Sequence, residues 1–352
     1  MIFRHAKQEE SEDIINLATK VFKPNMGKQF IRLFSPNNHE HQMIAEDQGK
    51  IVAAVNYYHT LMDTSIGTLS VASIGAVCTE ESYRGQGISS KLLGLAEAKM
   101  MKKQVDFCII SGDGPLYQRF GARYEGAMSR YILKNDPINH DINIRKFSSD
   151  PQLLYPIYQK EAIKYQRSSE EFNDLFIAQT YPDNYQSYPV YVMYQNESMI
   201  SYIILVNHPK AKLLSVKEYA GDRLAIIQSL PFLIKHYHKE GIELTTSIHD
   251  PIKKWIKEEE EKITQHATIK IINEESLFSK INRFFKVNHY PLLLEKKDGN
   301  YIIYCNEKPY LLDYNQLHAL IFSGKIPIDL RQRIIYDVFP IELPWSHNLN
   351  YQ

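Results

Sequence analysis

The sequence predicts an α/β protein in which strands alternate with helices, and three observations lead there. Apolar, β-branched runs alternate with segments of helical period along most of the 352 residues. The order strand, helix, hairpin, strand, helix occurs twice, once from the start of the chain and again from Asp141. In the first round, the turn Arg84-Gly85-Gln86-Gly87 breaks the pattern between a strand and a helix.

In order along the chain, "MIFRHA" reads as a strand and "QEESEDIINLATKVF" as a helix with an acidic start, its Ile14, Ile15, Leu17, Ala18, Val21 and Phe22 sharing a face. Met43 to Ala45 and Ile51 to Tyr58 flank "EDQGK" and form a hairpin. Leu69 to Cys78 is a strand, Ser89 to Lys103 a helix and Val105 to Ser111 the next strand, and this unit closes between Lys134 and His140. The second round starts with "DINIRKFSSDPQLLYPIYQKEAIKY", read as strand, turn and helix. The hairpin around "QNES" follows, then a strand and helix across "YAGDRLA", where Gly221 stands alone and no Arg-x-x-Gly occurs. The polar run "PIKKWIKEEEEKITQHA" separates it from a last segment, and its Glu258 to Glu261 read as a solvated helix face or linker. "YIIYCNEKPYLLDYNQLHALIFSG" predicts strand, turn, strand and helix, a small α+β unit. The expected domains are 1–138, 139–265 and 266–352.

Charge and composition narrow the function. Lys+Arg and Asp+Glu are both 41, so neither a nucleic acid nor an anionic membrane is favoured as partner, and a small molecule is expected. The N-terminus has no signal-like apolar core, and no window of about 18 apolar residues could span a bilayer, which predicts a cytoplasmic protein. Cys78, Cys108 and Cys305 lie in apolar, β-prone runs and read as buried thiols. His39-Glu40-His41 and His236-Tyr237-His238 have i, i+2 spacing, unlike the i, i+4 pair that puts two ligands on one helix face, so no metal is expected. No Gly-x-Ser-x-Gly elbow supports a serine hydrolase. Whether the chain forms a homo-oligomer is left open.

The chemistry concentrates at "AVCTEESYRGQGIS". A diphosphate needs donors converging on it with little side-chain bulk in the way. A glycine-containing turn entering a helix offers free N–H groups and a favourable dipole. Arg84 adds a permanent cation. The turn lacks the Gly-Lys-Ser/Thr ending of a Walker loop and the third glycine of a dinucleotide fingerprint. By itself it reads equally well as an ordinary β-α turn. After the next strand, "SGDGPLYQRFGARYEG" carries Tyr117 on a short segment bounded by Gly114-Pro115 and Gly121. One helix and one strand separate Arg84 from Tyr117, so neighbouring parallel strands can present both at one sheet edge.

Together, Arg84-Gly85-Gln86-Gly87-Ile88-Ser89 and Leu116-Tyr117-Gln118-Arg119-Phe120-Gly121 resemble the GNAT superfamily of N-acetyltransferases over about residues 1 to 135, with Ser89 where Gly or Ala is usual. The layout of the whole chain resembles the Eis-type branch, in which two GNAT folds precede a sterol-carrier-protein-like domain. The resemblance implies tandem mixed sheets flanked by helices, and acetyl-CoA as cosubstrate with no metal. It implies that a bulged central strand offers the backbone of Val77, Cys78 and Thr79 to the pantetheine arm, and that Arg84 to Ser89 hold the diphosphate. A small-molecule primary amine would attack the thioester, and Tyr117 would protonate the departing thiolate as general acid. Leu69 to Thr79 holds no Asp, Glu or His, so the base is sought in Asp113, His59 or the C-terminal carboxylate of Gln352, which the Eis-type resemblance suggests reaches the active site. Two non-catalytic readings stand beside this one, an acyl-CoA sensor and a lipid- or acyl-binding protein.

Overall fold

The structure, a computed structural model, describes residues 1–22, 25–134, 142–182 and 186–351. Strand β1 (Ile2–His5) leads to helix α1 (Ser11–Val21), which places Glu12 and Asp13 at its positive end and buries Ile14, Leu17 and Ala18. A single turn, α2 (Met26–Gln29), precedes the hairpin of β2 (Gln42–Asp47) and β3 (Lys50–Thr64). Gln48 and Gly49 close it at φ 50° and 77°, the hand that a two-residue turn between right-twisted strands requires. β4 (Gly67–Thr79), α3 (Ile88–Lys102), β5 (Phe107–Ile110) and α4 (Pro115–Arg119) finish the first round.

The second round runs β6 (Ala127–Lys134), β7 (Asn143–Lys146), α5 (Tyr155–Tyr158), β8 (Lys164–Tyr165) and α6 (Ser169–Gln179). It continues with β9 (Val190–Gln195), β10 (Ser198–Val206), β11 (Leu213–Gly221), α7 (Arg223–His236), β12 (Gly241–Ser247) and β13 (Glu261–Thr264). The last segment holds β14 (Thr268–Ile271) and α8 (Glu274–Val287), then the meander of β15 (Leu292–Lys297), β16 (Asn300–Cys305) and β17 (Lys308–Leu312). Helices α9 (Tyr314–Ser323) and α10 (Arg333–Tyr336) follow.

The chain divides into two compact units that are interleaved in sequence. One comprises Met1–Ala127, Thr264–Ser346 and the chain from Tyr351, the other Met128–Ile263 and His347–Asn350.

In the first unit the sheet runs β1-β2-β3-β4-β5-β14. β4 and β5 are parallel and the other pairs antiparallel, so the sheet is mixed. One face packs Val55, Tyr57 and Ile74 against Leu92, Leu93 and Ala96 of α3. The other packs Ile44, Ala54 and Cys78 against Ile14 and Leu17 of α1 and against Leu33. The last segment is built into this unit. β14 pairs along the outer edge of β5 (Ile269↔Ile109, Ile271↔Phe107). The buried Asp106 carboxylate accepts from Ser70 N and Ser276 Oγ at 2.7 Å each and from Lys280 Nζ at 2.5 Å, which fastens α8 to the start of β5. An apolar strand edge left bare would invite mispairing, and β14 covers it.

The second unit repeats the architecture with a sheet ordered β13-β6-β12-β11-β10-β9-β7. α7 covers one face through Ile226, Leu230 and Leu233, and α6 the other through Phe172 and Leu175.

Three local expectations are revised. β6, read as the end of the first domain, pairs with β12 (Leu133↔Ile242, Tyr131↔Leu244) and belongs to the second sheet. The helix expected across "PQLLYPIYQKEAIKY" shrinks to a 3-10 turn (Pro151–Leu154) and the single turn of α5, because Pro151 and Pro156 cannot donate to a continuing helical ladder. The two turns still bury Leu154, Ile157 and Tyr158, and α6 shares that core with Phe172, Leu175 and Phe176. Glu258 to Glu261 form neither a helix nor a free linker, since Glu261 opens β13 and its carboxylate takes the Arg130 guanidinium at 2.9 Å.

Candidate functional site

The site grows from an irregularity in β4. Pairing with β3 is regular to Asn56↔Gly75 and resumes at Ala54↔Cys78, so Val55 faces two residues, Ala76 and Val77. Ala76 sits at φ 49°, a left-handed conformation uncommon for a non-glycine residue, and Asn56 Nδ2 donates to its carbonyl at 3.1 Å. On the opposite side, β4 pairs with β5 only from Val71↔Phe107 to Ile74↔Ile110. The residues from Gly75 to Thr79 therefore run on without a β5 partner, and the two parallel strands part.

The opening is a cleft of about 620 Å³. Val77 and Thr79 of β4 form its base, Tyr83, Arg84 and Gly85 one rim, Gly87 to Ser90 the start of α3, and Leu116, Tyr117 and Arg119 of α4 the far wall. Gly85 and Gly87 hold φ of 78° and 75°, which turns successive N–H groups toward one side. Gly87 is the N-cap of α3 and offers no side chain, so the helix's first N–H groups and its dipole face the cleft uncapped. The Thr79 and Ser89 hydroxyls share a hydrogen bond of 2.8 Å that ties the end of β4 to the start of α3. Arg84 Nε donates to Thr79 O at 3.2 Å, and among the described residues no carboxylate pairs with Arg84 or Arg119. Among the described residues, no Asp or Glu lines the cleft. Two unpaired guanidiniums beside an uncapped helix N-terminus make a site for an anion.

The second unit lacks this property at the corresponding turn. Asp222 caps α7 by accepting from Ala225 N at 2.8 Å. Arg223 is consumed by Glu161 (2.5 and 2.8 Å) and Asp250 (3.0 and 3.1 Å). A helix start with its own carboxylate and a neutralised arginine has nothing left for a phosphate.

Tyr117 is half-buried. Its burial raises the phenol above its ordinary pKa, with the nearby Cys78 thiol adding to the shift, so the hydroxyl keeps its proton well above neutral pH. Cys78 contributes backbone to β4 while its thiol turns to the α1 face, where burial pushes it up to about 12. Gln86 points away, with Nε2 donating to Ser82 O at 3.4 Å.

Of the candidate bases, Asp113 and His59 are not among the residues lining the cleft. Asp113 is exposed in the loop before α4. His59 shares a hydrogen bond of 2.8 Å with Ser70 Oγ further along β3, and burial lowers its pKa. Gln352 lies outside the described residues. Its neighbour Tyr351 packs 6.2 Å from the Phe30 ring and bonds the Ser111 side chain, at the root of the loop that carries Tyr117. Arg119, Tyr83 and Ser90 line the cleft without having been read from the sequence. Arg119 could have been, since it lies two residues beyond Tyr117 on the same short helix.

All three cysteines are buried and free. Among the described residues no group of three or more His, Cys, Asp or Glu is arranged to hold a metal ion, and no helix is long and apolar enough to cross a membrane.

An acetyltransferase (GNAT) domain model matches residues 3–125. The architecture is of the GNAT type. The chain is similar in structure to a GCN5-related N-acetyltransferase from Anabaena variabilis (TM-score 0.67, 13% identity, covering 98% of this chain and 95% of that one). It is similar to a GCN5-related N-acetyltransferase from Kribbella flavida (TM-score 0.63, 12% identity, 100% and 98%). A third similar structure is Eis1 from Mycobacterium abscessus (TM-score 0.61, 12% identity, 89% and 85%). At these identities the likeness is one of fold. No curated protein matches the sequence. The GNAT fold supports acyl-CoA-dependent acetyl transfer in general, and the cleft at the parted strands lies inside the matched residues.

Proposed function

We propose that the protein is an acetyl-CoA-dependent N-acetyltransferase acting on a primary amine of a small molecule, with the three-part layout of the Eis-type branch. The observation that carries this reading is the shared cleft, which the uncapped start of α3, the unpaired Arg84 and the half-buried Tyr117 all line. The diphosphate of CoA would lie on Arg84 and the Gly85 to Ser89 backbone. The pantetheine arm would run beside Val77, Cys78 and Thr79, where β4 has lost β5 and an added strand-like ligand could take its place, with Arg84 turning from Thr79 O to the cofactor.

In the reaction, the neutral amine nitrogen attacks the thioester carbonyl carbon and a new C–N bond forms. The C–S bond then breaks, and the departing thiolate takes the Tyr117 phenolic proton. Tyr117 recovers a proton from solvent, and the one lost by the amine passes to a base, for which Asp113, His59 and the carboxylate of Gln352 remain the candidates. Holding thioester and amine together supplies much of the acceleration. Among the described residues no Asp or Glu lines the cleft, which favours an acyl-CoA over a cationic first ligand.

The test is release of CoA thiol from acetyl-CoA across a panel of polyamines, aminoglycosides and amino acids, beside a calorimetric titration with CoA. Turnover with a subset of the amines is expected. CoA binding without turnover on any of them would leave the protein as an acyl-CoA sensor.

A further inference from the structure

We infer that Thr268, on the first strand of the C-terminal segment, is a positioning residue for Tyr117, acting through the backbone of Gly112. The inference rests on Tyr117 being the acid, and it brings into the site a segment that the sequence places some 150 residues away.

The contact chain is short. Thr268 is buried, and its Oγ1 donates to the carbonyl of Gly112 at 2.7 Å. The Tyr117 ring lies directly on Gly112. A Cβ added at Gly112 would stand 2.4 Å from Tyr117 Cε2 and 3.2 to 3.3 Å from Cδ2 and Cζ. Gly112 is not one of the chain's left-handed glycines, so space for the ring, not backbone conformation, accounts for the missing side chain. The Gly112 peptide is thus a shelf whose one face carries the phenol and whose carbonyl is fixed from β14.

The same strand holds both ends of the loop. Before the tyrosine, Thr268 pairs with Ile110. After it, Arg123 and Ile269 exchange both backbone hydrogen bonds at 2.8 Å, and Lys270 Nζ lies 3.8 Å from the Phe120 ring centroid. Between these anchors α4 is a single turn, too short to hold its orientation by its own hydrogen bonds. The Thr268 hydroxyl is the side-chain contact from β14 to the half of the loop on which the ring rests. A general acid must lie within hydrogen-bond reach of the leaving sulfur, and a displacement of about 1 Å costs up to roughly 10²-fold in rate.

The test uses the full chain with 3-fluorotyrosine placed at position 117, read by fluorine NMR, together with turnover on an amine found active in the panel. T268V keeps the volume and removes the hydroxyl. It is expected to shift and broaden the fluorine resonance and to lower kcat about tenfold or more, with CoA affinity within about twofold of the parent. T268S restores the parent resonance and rate. G112A, which pushes on the ring from the other side of the chain of contacts, shifts the resonance as well. In a Y117F background T268V adds no further loss of rate, because the group it positions is gone. An unchanged fluorine resonance in T268V overturns the inference whatever the turnover, and so does a loss of CoA affinity parallel to the loss of rate. If Y117F itself keeps full turnover, the role of Tyr117 as acid fails, and the fluorine spectra still decide whether Thr268 sets its position.

Discussion

His318 offers a perturbation whose size can be worked out. It lies on α9, fully buried, with Nε2–H donating to the carbonyl of Ile269 at 3.0 Å and Nδ1 without a partner among the described residues. Burial lowers its pKa from 6.5 to about 3, the hydrogen bond to Ile269 opposing the shift and the nearby Arg123 guanidinium adding to it. The folded pKa lies below the unfolded one, so protonation favours the unfolded chain. Stability is complete above pH 6.5 and is lost as pH falls toward 3. Each pH unit in that window removes about 1.4 kcal/mol, so roughly 2 kcal/mol is gone by pH 5.

His318→Leu removes the titrating group and the orphaned nitrogen together. It strands no partner, because Ile269 O still accepts from Arg123 N at 2.8 Å. The variant should match the parent within about 1 kcal/mol at pH 7 and exceed it by about 2 kcal/mol at pH 5. Urea unfolding at pH 7, 6 and 5, followed by Trp345 fluorescence with Trp255 replaced by Phe, reads the unit that contains α9. Equal pH slopes for parent and variant would refute the reasoning, since His318 would then titrate alike in both states. His41 adds to the parent's acid sensitivity, its pKa lowered to about 4 by burial and by His59, Lys103 and Lys99, with Glu40 opposing.

Two predictions concern the cleft. Arg119→Gln removes one of its two unpaired cations, so CoA affinity should fall about tenfold at low salt and less at high salt, read by calorimetry at two ionic strengths. Tyr117→Phe keeps the ring on Gly112 but removes the proton, so kcat should drop roughly 10²-fold while acetyl-CoA binding is retained, measured by steady-state kinetics and titration.

The periodic elements were the legible part of the sequence. The α1 face, the β2-β3 hairpin with its Gln48-Gly49 turn and the strand, turn and helix around Arg84 all follow from local pattern, and the structure brings Val77, Thr79, Arg84, Gly85, Gly87, Ile88, Ser89 and Tyr117 to one cleft. Local pattern does not say which strand edge an apolar run will cover. β6 and β14 are both short apolar strands that could end the first sheet, and their exchange is decided by tertiary pairing over more than 100 residues. For the same reason Thr268 carried no signal, since its partner Gly112 is distant in the chain and glycine there reads as ordinary turn chemistry. The bulge is expected from the resemblance, but its place at Ala76 has no local mark in the sequence, because the strained residue is an alanine and not a glycine.

The most direct measurement is a calorimetric titration of acetyl-CoA into the parent and Gly87→Glu. Gly87 lies at the cleft with nothing within 4 Å of an added Cβ, so the glutamate has room and the fold should survive, at the cost of strain from φ +75°. Its carboxylate would sit at the uncapped start of α3 and compete with the diphosphate for the same N–H groups and for Arg84. One-site binding to the parent and a loss of affinity of two orders of magnitude or more in a folded Gly87→Glu protein is the expected result. Equal affinity in the two proteins would mean that this cleft does not hold the cofactor.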